Sequence, residues 1–379
     1  MFFIYIMKLV YLDNAATTAP DKEIFFSAAE YCAENYFNPS ALYREGREAK
    51  KIVETAREKI AACFRGKKIF FTSCGTEADN TAILSFARRG NAVTTSGEHA
   101  AVQKTYELIK QRGVEARFAR LLEGGAVDVD DLLSKIDEKT SFCSVVHVNN
   151  ETGAINDVNA IAKAAKAINP RLVFHTDAVQ SFLKIPYEIS SDVDLVSVSA
   201  HKIKALKGVG ALAYNDGLHV APLIVGGGQE NGARSGTENV LGIKVFGDCC
   251  EKYRAEIALN HERIKRIRDL FVAALDERYV KVISSGDCSP YVLSLSAPKL
   301  RGEVIQTIMD DSSIIIGKGS ACSSKAPFSR VLKEFIDDKD VLNGAIRISF
   351  IFDTEEADAL FAADTLNKTV KNLYERIVK

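Results

Sequence analysis

The chain has 379 residues, of which 47% are hydrophobic and 26% charged, and its formal net charge is -1. That length suits two domains in one subunit. The balanced charge excludes a basic nucleic-acid binder or an acidic solvating tail as the main identity, and no stretch reaches the roughly 20 apolar residues that span a bilayer.

The chain opens on MFFIYIMKLVYL, which is apolar but has no cationic n-region and no small-residue cleavage site. It reads as a short strand rather than a secretory signal, with Met7 as a second candidate start. From about residue 68 to 215, short β-rich apolar runs alternate with helical patterns. Strands are expected at Lys68–Thr72, Ala92–Thr95, Ser144–Val148, Leu172–Thr176, Leu195–Val198 and Gly210–Tyr214. Helices are expected at Glu77–Arg88, His99–Gln111 and Asn159–Ala167. This alternation predicts a mainly parallel sheet covered on both faces, with ligands at the carboxyl ends of its strands. Neither GxGxxG after a strand nor GxxxxGK[ST] is present, so the usual nucleotide fingerprints are missing. Beyond Val240 the pattern changes. Phe246–Arg278 reads as one long amphipathic helix leading to a smaller α+β unit. That unit has strands near Tyr291–Ser296, Ser313–Ile316 and Ala345–Phe350, and helices at Gly302–Met309 and near the C-terminus.

Chemistry gathers at the predicted strand ends. Leu195–Val198 runs into Ser199, Ala200, His201 and Lys202, which sets a lysine at the active edge of the sheet. A partly desolvated amine there can form a Schiff base. Leu172–Thr176 likewise ends at Asp177, which taken alone is equally a helix N-cap. Lysine and carboxylate on one crevice are what pyridoxal 5′-phosphate (PLP) requires, the amine for its aldehyde and the acid for its pyridine nitrogen. In FFTSCGTEADN, a strand turns through Gly75 and Thr76 into a helix, and a helix N-terminus with small hydroxyl residues suits a phosphate. The same residues also read as a capping box, and both roles are compatible. Cys322 stands in a Gly- and Ser-rich run bounded by Pro327, the composition of a flexible loop. The eight cysteines form no CxxC pair, which argues against a zinc ribbon or thioredoxin-like site and predicts a reducing, cytoplasmic setting. The six histidines show no ligand spacing, so no metal is expected.

Taken in order, the segments YLDNAATT (Tyr11–Thr18), FNPSA, FTSCGTEADN, EHAAV, HVNNETG (His147–Gly153), HTDAVQS (His175–Ser181), SAHK, GGGQENGARSGTEN (Gly226–Asn239), GSACSS (Gly319–Ser324) and AIRIS (Ala345–Ser349) resemble the cysteine desulfurases of the NifS/IscS-like group, over nearly the whole chain. The resemblance implies an α/β fold, the PLP-dependent transferase fold type I, with a large domain on a mainly parallel seven-stranded sheet and a smaller α+β domain. The large domain is expected at 15–255. Residues 1–14 and 256–379 would form the small one, carrying the mobile cysteine loop. It also implies a homodimer with shared active sites. By motif, Lys202 is the Schiff-base lysine, Asp177 pairs with the pyridine nitrogen, Gln180 lies by the ring hydroxyl, and His99 stacks on the ring as an acid–base candidate. Thr76, Ser199 and His201 resemble phosphate ligands, and Thr237 is expected to reach the phosphate in the partner subunit. Asn150 and Arg347 resemble the residues that hold the substrate carboxylate, a task suited to the guanidinium fork. Cys322 resembles the thiol that receives sulfur. The implied activity converts L-cysteine to L-alanine and passes sulfur through a Cys322 persulfide to an acceptor for iron–sulfur clusters, thio-cofactors or tRNA.

Departures from the family pattern are local. Ala200 stands where several members have glycine, and Ala205-Leu206-Lys207-Gly208 replaces a frequent Gly-Pro-Lys-Gly turn. The stretch from Cys322 to Arg347 is a few residues short, and the C-terminal tail that helps dock sulfur acceptors is nearly missing. Two other readings share these motifs: a selenocysteine lyase or other class V aminotransferase, and a weakly active dimeric binding or regulatory paralogue.

Overall fold

The computed structural model describes residues 8–318 and 328–377. In chain order the elements are β1 (Val10–Leu12), α1 (Lys22–Glu34), α2 (Arg44–Ala61), β2 (Lys67–Thr72), α3 (Gly75–Phe86), β3 (Asn91–Thr95), α4 (Ala100–Gln111), β4 (Glu115–Ala119), α5 (Val129–Ser134), β5 (Thr140–Ser144), α6 (Val158–Ile168), β6 (Val173–Asp177), β7 (Leu195–Ser199), β8 (Gly210–Asn215), α7 (Val240–Arg254), α8 (Ile257–Ala273), β9 (Lys281–Val282), β10 (Val292–Ser296), α9 (Gly302–Asp311), β11 (Ile314–Lys318), α10 (Lys339–Asn343), β12 (Ala345–Ser349) and α11 (Glu356–Ile377).

The first sheet has seven strands in the order β2-β8-β7-β6-β5-β3-β4. Strands β7, β6, β5, β3 and β4 pair in parallel, and only β8 runs against its neighbours. Its central strands are buried on both faces, as a helix-covered parallel sheet requires: every residue of LVSVS in β7 is buried. The second sheet has five strands in the order β1-β11-β12-β10-β9. The apolar N-terminal run supplies β1, which pairs in parallel with β11, so the start of the chain joins strands formed some 300 residues later.

Three expectations need revision. Edge strand β4 was not anticipated: EARFA has no apolar run, because it is exposed or half-buried along most of its length. The strand expected at Ser144–Val148 has its regular part at Thr140–Ser144. The apolar residues beyond it still run alongside β6, with Val145 N donating to His175 O and His147 N to Asp177 O. The long helix expected over Phe246–Arg278 is two helices, broken at Ala255–Glu256. The break changes partners. Helix α7 packs on α1 and α2, whereas α8 packs on α11.

Candidate active site

A cavity of about 370 Å³ opens at the carboxyl ends of β6 and β7, where an open parallel sheet places its ligands. Its lining includes Gly75, Thr76, His99, Asn150, Asp177, Gln180, Ser199, His201, Lys202 and Arg347. Ten of the expected site residues thus meet in one place. Thr237 does not line this cavity and is exposed on the surface. Cys322 lies outside the described residues.

Each side chain arrives by a local rule. Lys202 ends the tight turn that follows β7, and its Nζ donates to the carbonyls of Ala15 (2.5 Å) and Ala16 (2.6 Å), just beyond β1. Asp177 closes β6, is buried, and accepts from Val179 N at 2.9 Å. Burial raises its pKa, opposed by the nearby His99 and Lys202. His99 caps the N-terminus of α4, with Nδ1 accepting from Ala101 N at 3.2 Å. Burial lowers its pKa, so the imidazole is neutral and able to exchange a proton. His201 Nδ1 lies 3.1 Å from Thr17 Oγ1. Burial, with Lys202 close by, pushes His201 down to about 4.

The N-terminus of α3 faces the same space. The first N–H groups of a helix have no partner within the helix and attract anions. Glu77 reaches back to Ser73, accepting from its N (2.8 Å) and Oγ (2.5 Å), so the cap reading holds beside the anion reading. A Cβ at Gly75 would stand 2.9 Å from Val179 Cγ2 and 3.4 Å from Ser199 Cβ, so glycine keeps this cradle open. Ser199 Oγ is buried here without a hydrogen-bond partner.

Arg347 projects from β12 and is 2% exposed. Its guanidinium donates to Asp13 Oδ1 (2.7 Å) and Asn150 O (2.9 Å), while Nε has no partner among the described residues. Gly317 of β11 lies opposite Arg347 in register. A Cβ at Gly317 would fall 2.6 Å from Asp13 Oδ1 and 3.1 Å from Arg347 Nε, so the close approach needs glycine. β11 therefore ends at Lys318, next to the residue that faces Arg347.

Three contributors escaped the motif reading. Asp79 lines the cavity and is 1% exposed. Its carboxylate, that of Asp177 and the His99 imidazole have ligand atoms all within 4.8 Å of one another. Among the described residues this is the grouping with metal-ligand chemistry. Burial and the charge of Asp177 raise Asp79 well above the carboxylate range. Lys184 is 1% exposed and donates to Gln180 Oε1 at 3.2 Å, while Gln180 Nε2 donates to Ala15 O at 2.9 Å. Burial, with Lys202 and Arg347 nearby, pushes Lys184 down to about 7. The carbonyls of Ala15 and Ala16 complete the set. The FTSCGTEADN and HTDAVQS runs contained or adjoined the two charged residues. Backbone acceptors carry no residue-type signal.

The chain belongs to the aminotransferase class-V family, in its NifS/IscS-like group of cysteine desulfurases, and the aminotransferase class-V family model matches residues 10–360. The cysteine desulfurase IscS of Dictyoglomus turgidum is 36% identical over 376 residues, 96% of this chain and 95% of that protein. A cysteine desulfurase IscS of Clostridium botulinum is 34% identical over 382 residues, 97% of this chain and 96% of that protein. Among solved structures, a NifS-like protein superposes with a TM-score of 0.89 at 32% identity, covering 97% of this chain and all of its own. A structure of SspA in complex with cysteine gives a TM-score of 0.78 at 27% identity, covering 90% of this chain and 98% of its own.

Proposed function

We propose that this enzyme takes sulfur from L-cysteine, releases L-alanine and holds the sulfur as a persulfide on Cys322, with PLP in the cavity. The observation that carries the reading is the meeting of Lys202, Asp177 and Arg347 in one cavity at the strand ends. The residues fit the cofactor. Lys202 would hold its aldehyde, Asp177 its pyridine nitrogen, and Gln180 its ring hydroxyl, with His99 against the ring. Gly75, Thr76, the partnerless Ser199 hydroxyl and His201 would hold its phosphate. When bound, PLP supplies an electron sink for the substrate α-carbon.

The chain's own groups do the rest. Arg347 and Asn150 hold the substrate carboxylate, and the Asp13 contact fixes the guanidinium for that task. Lys202 moves the α-proton, and His99 holds or returns a proton. Cys322 attacks as the thiolate: its bond to the substrate sulfur forms as the sulfur–carbon bond breaks, and the electron pair leaves on carbon, to be protonated to alanine. The end of β11 at Lys318, beside Arg347 and a short step in sequence before Cys322, supports delivery of that thiol to this cavity.

The functional unit in this reading is a homodimer, with Thr237 reaching the partner's cavity. Its exposure, close to the exposed apolar run Leu223, Ile224 and Val225, supports that arrangement. The persulfide would pass to a sulfur-acceptor protein for iron–sulfur cluster, thio-cofactor or tRNA synthesis. The free thiols suit a cytoplasmic setting. No helix of the described residues is long and apolar enough to cross a membrane.

The test is alanine and sulfide release from L-cysteine by PLP-loaded protein with a reductant, beside Cys322→Ala. Both products from the parent and neither from the variant are expected. A variant that still desulfurates at the parental rate, or a parent that converts cysteine to a keto acid, overturns the reading.

A further inference from the structure

Behind the active cavity lies a second one of about 570 Å³, and the turn that follows β6 contributes to the wall of both. From that turn Gln180 lines the front cavity, while Ser181, Phe182, Leu183 and Ile185 line the rear. Lys184 lines neither. It is 1% exposed, and its Nζ donates to Gln180 Oε1 at 3.2 Å.

The fold keeps this lysine in place against two costs. An amine taken out of water calls for a compensating acid, and among the described residues Lys184 has none. The charges that act on it are those of Lys202 and Arg347, both cationic, and with burial they push it down to about 7. Its own charge acts in turn on His201, and His261 Nδ1 lies 3.3 Å from its backbone carbonyl. The second cost is in the backbone. Leu183, just before it, has a φ of 57°, in the left-handed region that disfavours a branched side chain. Strain of this kind persists where the surroundings over-determine it. Here both costs support one side-chain contact, that of Lys184 with Gln180.

That contact decides how Gln180 is used. An amide accepts at its oxygen and donates two N–H groups from its nitrogen, and its two ends are alike in shape. Lys184 has N–H to donate whether charged or neutral, so the amide oxygen belongs at its end. Gln180 Nε2 then donates to Ala15 O at 2.9 Å. A flipped amide would set its oxygen against the Ala15 carbonyl oxygen and its N–H groups against the amine. The orientation present leaves Nε2 a second N–H. The same Ala15 carbonyl accepts from Lys202 Nζ at 2.5 Å, and Ala15 N donates to Ser349 Oγ at 2.8 Å, in the strand that carries Arg347. Lys184 thus stands one side chain away from the atoms that hold Lys202.

We propose that Lys184 is a positioning residue for the cofactor: by holding Gln180 Oε1 it fixes Gln180 as an N–H donor to the ring hydroxyl oxygen of bound PLP. The inference rests on the PLP reading above. A donor there favours the ionised ring oxygen. Without Lys184 the amide is released to turn, and the pH at which the absorbance of bound PLP changes should rise.

The test is a pH titration of the absorbance of the PLP-loaded full chain, for the parent, Lys184→Met, Gln180→Leu and the double variant, with folding checked by circular dichroism. Each single substitution should raise the midpoint by about one pH unit. The double variant should shift no further than Gln180→Leu alone, because Lys184 acts through that amide. A lysine that served only to stabilise the fold would alter Tm and leave the midpoint at the parental value, which overturns the proposal. Additive shifts overturn it too, since they would show the charge of Lys184 acting directly. Should Lys184→Met not fold, Lys184→Ala completes the same cycle. A parent that takes up no PLP overturns the functional reading and this proposal with it. A parent that releases alanine, beside a Lys184→Met protein that titrates as the parent does, overturns the proposal alone.

Discussion

The two cavities share a wall, and the chain that builds it sends alternate residues to opposite sides. Val146 and Val148 face the front cavity and His147 the rear; Asp177, Val179 and Gln180 face the front, Ala178 and Ser181 the rear. Alternation sorts Val146 to Val148 and Asp177 to Val179, and the turn that follows sets Gln180 and Ser181 apart. The difference lies in how charge is handled. The front holds ionisable groups in mutual contact, so each shifts the next. The rear holds a buried imidazole set against the Tyr187 ring and a half-buried thiol at Cys63. Neighbours in sequence can therefore belong to different chemistries, and motif membership alone does not say which side a residue serves.

Substitutions on the front wall test that division, and Lys202→Ala should be the most severe. Alanine release from L-cysteine is expected to fall by about a thousand-fold or more, with circular dichroism unchanged. Arg347→Ala comes next. Losing the fork and stranding Asp13 should lower kcat/KM by about a hundred-fold, mostly through KM, and Arg347→Lys should recover only part, read by initial rates across cysteine concentrations. Gly75→Ala is smaller. Its Cβ collides with Val179, so cofactor affinity, followed by PLP absorbance on dialysis, should drop about ten-fold, and Tm should hold or fall, since the collision offsets the gain in helix propensity.

The subtlest test concerns Lys184, whose depressed pKa of about 7 makes it costly to bury while charged. The unfolded chain binds this proton more tightly, so between pH 7 and roughly 10.4 its effect is to raise stability as pH rises. Below pH 7 both states are protonated and the cost is fully present. Lys184→Met should therefore be most favourable, relative to the parent, below pH 7, and its advantage should shrink above it in a Tm series. A pH-independent difference would show that packing, not titration, sets the effect.

The parallel sheet was legible because burial on both faces writes uninterrupted apolar runs such as Leu195–Val198 and Leu172–Thr176, and their polar ends marked Lys202 and Asp177. Strand β4 was illegible for the converse reason, since this edge strand is exposed or half-buried along most of its length. The break at Ala255–Glu256 escaped notice because the pattern records that a helix is amphipathic and not which neighbour it packs on. Asp79 and Lys184 were missed because charged residues on helical or turn patterns read as solvated surface, and only tertiary packing buries them. Gln180 was placed from its motif, but the Lys184 contact that orients it follows from folding alone.

The pairing of β1 with β11, and of Asp13 with Arg347, has a consequence for synthesis. The carboxylate that holds Arg347 is synthesised long before its partner in the second sheet. Contacts so distant in sequence form slowly. A nascent chain can assemble the seven-stranded sheet early, yet the guanidinium that would select an amino-acid substrate is translated only at residue 347 of 379. Prematurely terminated chains would then be folded in large part but unable to complete the substrate side of the cavity, which keeps a half-made enzyme from engaging cysteine.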